Sequence, residues 1–184
     1  NRVNSQFITG LVWGLIVSLT SLASGQEQQR TFVQNGKALG VHDASNQWQS
    51  REAGLEGKGE RIFLYADKMI GKGDFKVTAR LRMLNQAKSA AGFVLGESFF
   101  GFEGAKGEEI FLNGPLFGGY KNIQRSATAF ERGSWIDFQV ERRQDEIKFS
   151  INGKSIHAFK HDGPIGQIGF SPWRSTMQIE QFAA

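Results

Sequence analysis

The chain has no cysteine, and only three prolines and three histidines among its 184 residues. Without cysteine no disulfide can staple the fold, so a packed core must stabilise it even if the chain is exported. His42 stands far from His157 and His161, and the three are too few and too scattered to converge as the ligand set of a transition metal. A dominant charge is missing too: 22 basic residues face 18 acidic ones, for a formal net charge of +4. The cations are spread along the chain instead of forming a stripe, which argues against nucleic acid as a partner. No amphipathic stretch of useful helical length occurs, and no internal repeat of about 20 to 50 residues, which excludes propellers and solenoids for this stretch.

One long hydrophobic run exists, Phe7 to Ala23, interrupted only by Gly, Ser and Thr. It falls just short of the roughly 18 to 20 residues that cross a bilayer. Arg2 precedes it, and small residues at Ala23 and Gly25 are followed by the polar "QEQQ". This is the pattern of a secretory signal, residues 1–25, cleaved after Gly25, with a polar linker over 26–30; a retained membrane anchor is the competing reading. Export places the mature chain outside the cytoplasm, secreted, periplasmic or on the cell surface, with no membrane partner once the signal is removed.

From Thr31 onward the hydrophobic period is two. In "GDFKVTARLRML" the residues Phe75, Val77, Ala79, Leu81 and Met83 alternate with Lys76, Thr78, Arg80 and Arg82, as in a half-buried strand. Ile136, Phe138 and Val140 repeat the pattern, and so do Ile147, Phe149 and Ile151, after which Asn152-Gly153 supplies the two left-handed residues of a tight hairpin. Further short runs ("RIFLYADK", "AAGFVLGESFFGFEG", "EEIFLNGPLFGG") are separated by Gly, Asn and charged turns. Many short strands with 23 glycines and 16 phenylalanines predict an all-β fold over 31–184, two antiparallel sheets packed as a sandwich or jelly roll.

The order "WQSREAGLEGKG" (48–59), "GKGDFKVTARLRM" (71–83), "SAAGFVLGESFFGFEG" (89–104), "LNGPLFGG" (112–119), "INGKSI" and "GPIGQIGFSPWRSTMQIEQF" resembles the concanavalin-A-like, laminin-G-like jelly-roll domain that precedes the catalytic propeller in secreted bacterial sialidases. The resemblance spans roughly Thr31 to Phe182. "FGFEG", "GPLFGG" and "PWRSTM" are its specific parts, while "INGK" and "GxGDF" recur across jelly rolls generally. It implies two curved sheets, a place beside a catalytic sialidase domain in the same parent chain, and a glycan, sialylated or otherwise anionic, as partner. It supplies no catalytic residues. The propeller turns "SxDxGxTW" of such enzymes do not occur here, and neither Tyr65 nor Tyr120 stands in the setting of their tyrosine nucleophile.

Jelly-roll glycosidases of another kind set carboxylates on alternate residues of one strand, about 5 Å apart for retention. The nearest candidates are Glu97 and Glu103, flanking "SFFGF". In a continuous strand they stand about 20 Å apart, and only a hairpin at Gly101 brings them closer; the ordinary expectation is that both are solvated beside turns. Asp74 and Asp162 are loop carboxylates suited to calcium, which jelly rolls of the resembled type often hold, and both are equally ordinary turn residues.

Binding is what remains. Trp48, Trp135 and Trp173, with Phe99, Phe100, Phe102, Phe117 and Tyr120, exceed what a core of this size must absorb, and the flat C–H faces of sugars stack on such rings. Phe100 and Phe102 share one phase and Phe99 the other, so at least one is expected to face outward. Lys76, Arg80 and Arg82 project from one side of a strand, a candidate surface for anionic sugars if it stands free. Trp173 and Arg174 in "SPWRS" have the composition of an interface anchor, with the strand through Ile179 to Phe182 expected to pair near the N-terminus. Two classes of function stand: a non-catalytic glycan-binding or bracing module of a secreted glycosidase, or a self-contained sugar hydrolase. A laminin-G-like adhesion domain is a variant of the first.

Overall fold

The computed structural model describes residues 29–85 and 90–184. The expected signal segment, 1–25, and most of the linker lie outside them. Sixteen strands run in chain order: β1 (Thr31–Gln34), β2 (Lys37–Ala38), β3 (Val41–His42), β4 (Trp48–Arg51), β5 (Gly54–Lys58), β6 (Leu64–Ile70), β7 (Phe75–Met83) and β8 (Gly92–Leu95), then β9 (Ser98–Gly104), β10 (Glu109–Asn113), β11 (Lys121–Arg125), β12 (Ile136–Arg143), β13 (Glu146–Ile151), β14 (Lys154–Lys160), β15 (Gly166–Ser171) and β16 (Thr176–Ala183). The only helical pieces among the described residues are three single 3-10 turns.

The strands form two antiparallel sheets. The first runs β14-β13-β12-β7-β16-β1-β2, with β5 also paired to β16 and β4 to β5; the second runs β11-β10-β9-β8-β15-β6-β3. The chain passes repeatedly from one sheet to the other, at β2–β3, β3–β4, β5–β6, β6–β7, β7–β8, β11–β12, β14–β15 and β15–β16. The result is the two-sheet jelly-roll sandwich that the alternation predicts, of the concanavalin-A-like type that the resemblance implies.

The alternation also predicts which side is buried. Val77, Ala79, Leu81 and Met83 of β7 are all buried, as are Ile136, Phe138 and Val140 of β12 and Ile147, Phe149 and Ile151 of β13. Burying a phenylalanine stabilises by about 1.5 to 3 kcal/mol, and here the rings also meet across the sheets, with Phe100 stacked on Phe149 at 4.5 Å and Phe93 tilted against Phe138 at 5.3 Å. Asn152 and Gly153 turn the β13–β14 hairpin at φ 50° and 75°, as the sequence requires.

β16 lies inside its sheet. One side pairs along β7, from Met177↔Met83 to Ala183↔Thr78; the other pairs with β5 through Thr176–Ile179 and with β1 through Gln181–Ala183. The expected pairing near the N-terminus is therefore present.

Candidate functional site

The outer faces of the two sheets are chemically different. On the first sheet the side chains pointing away from the core are charged or polar. The cations of β7 do project together there, but they meet partners. Arg80 bonds Asp137 at 3.0 Å and Glu180 at 2.7 Å, and these carboxylates hold its guanidinium above its ordinary pKa, the hydrogen bond to Asp137 contributing most. Arg82 donates to Gln178 at 2.8 Å, and Lys76 stands opposite Glu141 in the β7–β12 register. Trp135, half-buried just before β12, lies against both guanidinium groups, 4.5 Å from Arg82 and 5.7 Å from Arg80. The expectation of a free basic face fails at Arg80 and Arg82, because cross-strand pairing brings an acid or an amide to each guanidinium.

The second sheet presents aromatic rings instead. Val94 and Phe111 are buried without belonging to the central core, since their phase on β8 and β10 directs them outward. Cross-strand pairing aligns Tyr65, Gly169, Val94 and Phe99 in one row and Ser171, Gly92, Gly101, Phe111 and Asn122 in the next. Three inter-strand steps at about 4.8 Å give the first row a span of about 14 Å.

Glycine makes this surface possible. A β-carbon at Gly169 would stand 3.0 Å from the Tyr65 ring, one at Gly92 would stand 2.5 Å from Phe99, and one at Gly101 would overlap Phe111. Each ring therefore occupies the space that a β-carbon on the neighbouring strand would take. Phe99, Phe111 and Tyr120 follow one another at centroid separations of 5.9 and 5.4 Å, and Phe63 stacks on Tyr65 at 5.5 Å. Burial holds the Tyr65 hydroxyl protonated, above the usual tyrosine pKa. At the edge Tyr120 is 57% exposed, its hydroxyl donating to Asn122 at 2.8 Å. The platform thus carries polar groups, Asn113 and Asn122, along its exposed β10–β11 side.

The sequence-predicted residues divide between core, surface and this platform. Phe100 and Phe102 are fully buried, so neither is a ligand contact; Phe99, of the opposite phase, is the one that faces outward, a choice that phase left open. The hairpin lies at Gly96–Glu97, between paired Leu95 and Ser98, and not at Gly101. Glu97 is exposed in that turn, whereas Glu103, at the far end of β9, is fully buried. Glu103 is no solvated turn carboxylate: Arg132 forms an ion pair with it, and the Ser175 hydroxyl donates to it at 2.7 Å. Phase alone could not reveal this, because Arg132 arrives from a distant loop. The two glutamates do not meet, so no carboxylate pair forms.

Trp173 sits at φ 50° in the turn between β15 and β16, closed by Ser175 N–H donating to the Pro172 carbonyl at 2.8 Å. It is half-buried, and Arg174 is an exposed partner of Glu60 at 2.9 Å. That hydrogen bond and the attraction of the two charges raise the Arg174 pKa and lower that of Glu60.

Asp74 accepts the Gln144 backbone N–H at 2.7 Å, and Asp162 is exposed. Beside them Arg142, only 1% exposed, donates to the carbonyls of Gly71, Gly73 and Gly163 at 2.8, 2.5 and 2.7 Å. A fixed guanidinium therefore engages the loop carbonyls that a cation would use. Among the described residues no three His, Asp or Glu side chains gather as a metal site. His157 stacks on Phe159, and burial, with the Lys121 charge adding to it, lowers its pKa.

No protein-family model matches the chain, and no curated protein resembles it significantly in sequence. Solved structures do. The chain is similar to the carbohydrate-binding module CBM66 from Bacillus subtilis (14% identity, 82% of this chain and 97% of that one, TM-score 0.53). It is also similar to the Crh5 transglycosylase (10% identity, 84% and 82%, TM-score 0.61). A sialidase matches over 79% of this chain but 17% of its own length, at 12% identity and TM-score 0.55. At such identities the likeness is one of fold: the chain shares the jelly-roll sandwich found in all three.

Proposed function

We propose that the chain is a non-catalytic glycan-binding module of an exported glycosidase, and that the parent enzyme is an exo-α-sialidase. The observation that carries the glycan-binding reading is the aromatic outer face of the second sheet, where Tyr65, Phe99, Phe111 and Tyr120 replace the charged groups that cover the first. Tyr120, with the half-buried Phe99 and Tyr65, offers ring surface to the C–H faces of sugars, while buried Phe111 packs between Phe99 and Tyr120, and Asn113, Asn122 and the Tyr120 hydroxyl are placed for sugar hydroxyls. Supporting the reading, one structural neighbour is itself named a carbohydrate-binding module. The sialidase parentage is supported by the "FGFEG", "GPLFGG" and "PWRSTM" motifs, and by a sialidase that carries this fold in a minor part of its length.

Calorimetric titration of the purified chain with oligosaccharides tests the binding. Tyr120→Ala is expected to weaken the affinity about tenfold or more, with little change in melting temperature because Tyr120 is exposed. A fluorogenic sialoside is expected to show no turnover. Unchanged affinity in both Tyr120→Ala and Phe99→Ala would remove the platform from the reading, and turnover that tracks the chain would make it an enzyme.

A further inference from the structure

A second surface, at the open end of the sandwich, has a different chemistry. A cavity of about 580 Å³ opens between the end of β6, the 71–74 loop, the start of β7 and the end of β16. Its wall carries four cations, Lys68, Lys72, Lys76 and Arg143, against one carboxylate, Asp74. Lys68 is the informative one. It has the parity of buried Leu64, Ala66 and Ile70 on β6, is itself half-buried and lines the cavity.

The counter-charges nearby are otherwise engaged. Asp67, next to Lys68, pairs with Arg30 at 2.6 Å; Glu141 pairs with Arg143 at 2.8 Å; Asp74 accepts the Gln144 N–H. Among the described residues Lys68, Lys72 and Lys76 form no ion pair. The loop that presents Lys72 is also held in place, since the buried Arg142 guanidinium grips the carbonyls of Gly71 and Gly73 on either side of it. Gln29, fixed to the Thr78 hydroxyl at 3.3 Å, adds a neutral amide to the same wall.

We propose that this cavity is an anion subsite for a glycan, binding a carboxylate or sulfate group carried on a sugar ring through Lys68, Lys72 and Lys76. The proposal rests on the glycan-binding reading and adds to it a chemical class of ligand. It also moves anionic recognition away from Arg80 and Arg82, which their acidic and amide partners occupy, to cations that lack such partners. An acidic sugar would replace water at the lysines and gain charge-assisted hydrogen bonds from a largely preformed site.

Calorimetric titration of the full chain with lactose, 3'-sialyllactose and a chondroitin sulfate tetrasaccharide tests this, the last two arms separating carboxylate from sulfate. The wild type is expected to bind at least one acidic probe more tightly than lactose, with a preference that fades as salt rises. Lys68→Gln with Lys72→Gln should cost about tenfold or more for that probe and leave lactose unchanged, whereas Lys148→Gln on β13 should alter neither. Lactose binding without acidic preference, or a preference that survives the double substitution, would overturn the subsite while leaving the aromatic platform standing. Loss of the acidic preference in the double variant, with Tyr120→Ala and Phe99→Ala both inert, would uphold the subsite and remove the platform. Failure of all three probes would overturn both.

Discussion

At the scale of single residues, glycine determines the character of the second sheet's outer face more than the aromatics themselves do. Gly101 lies under Phe111, which Phe99 and Tyr120 flank. A methyl group at Gly101 would force the Phe111 ring off the backbone. Gly101→Ala is expected to cost about 2 kcal/mol and to weaken oligosaccharide binding, as read by denaturant melts and titration. Gly71→Ala is the control: nothing lies within 4 Å of the added carbon, so stability should stay within about 0.5 kcal/mol. A neutral result at Gly101 would show that the platform tolerates tilted rings.

Among the elements, β14 connects the two sheets at their edges through ring packing. His157 packs on Phe159, while Phe159 meets Phe117 of the β10–β11 connection at 5.1 Å. Burial first, and the Lys121 charge of β11 second, disfavour the imidazolium. The folded-state pKa thus lies below the ordinary value of 6.5, and between the two the unfolded chain binds more protons than the folded one. The contribution of His157 is therefore fully present above pH 6.5 and declines as pH falls through the folded-state value. Melting temperatures measured from pH 8 to pH 5 are expected to fall less in His157→Gln than in the wild type; parallel curves would refute the assignment.

For the whole molecule, Arg142 is a side chain that joins loops distant in the sequence. From β12 it binds the carbonyls of Gly71, Gly73 and Gly163 and lies 5.1 Å from the Phe75 ring, so it ties the β6–β7 and β14–β15 crossings to one strand. Arg142→Met keeps the volume and removes every donor. The loss is expected to be about 3 kcal/mol, or a fall in Tm of about 10 °C, visible in a thermal melt. Because the same guanidinium holds the loop bearing Lys72, affinity for acidic sugars should fall with it, while lactose binding should not.

The sequence by itself determined what depends on neighbours along the chain. The two-residue period of β7, β12 and β13, the Asn152-Gly153 turn and the opposite phases of Phe99 and of Phe100 with Phe102 are consequences of strand geometry, in which alternate side chains take opposite faces wherever the backbone stays extended. What only the tertiary structure decided is what arrives from elsewhere. The phase of Arg80 and Arg82 was legible, but not that Glu180 and Gln178 of β16 would neutralise or occupy them. Glu103 looked like a turn carboxylate until Arg132 and Ser175 enclosed it. The aromatic platform is the clearest case, for Tyr65 lies on β6, Phe111 on β10 and Tyr120 just before β11, and they become one surface only when pairing sets glycines against the rings. Period reports which way a side chain points, whereas a site depends on which distant strand lies beside it, and loop closure and register decide that together.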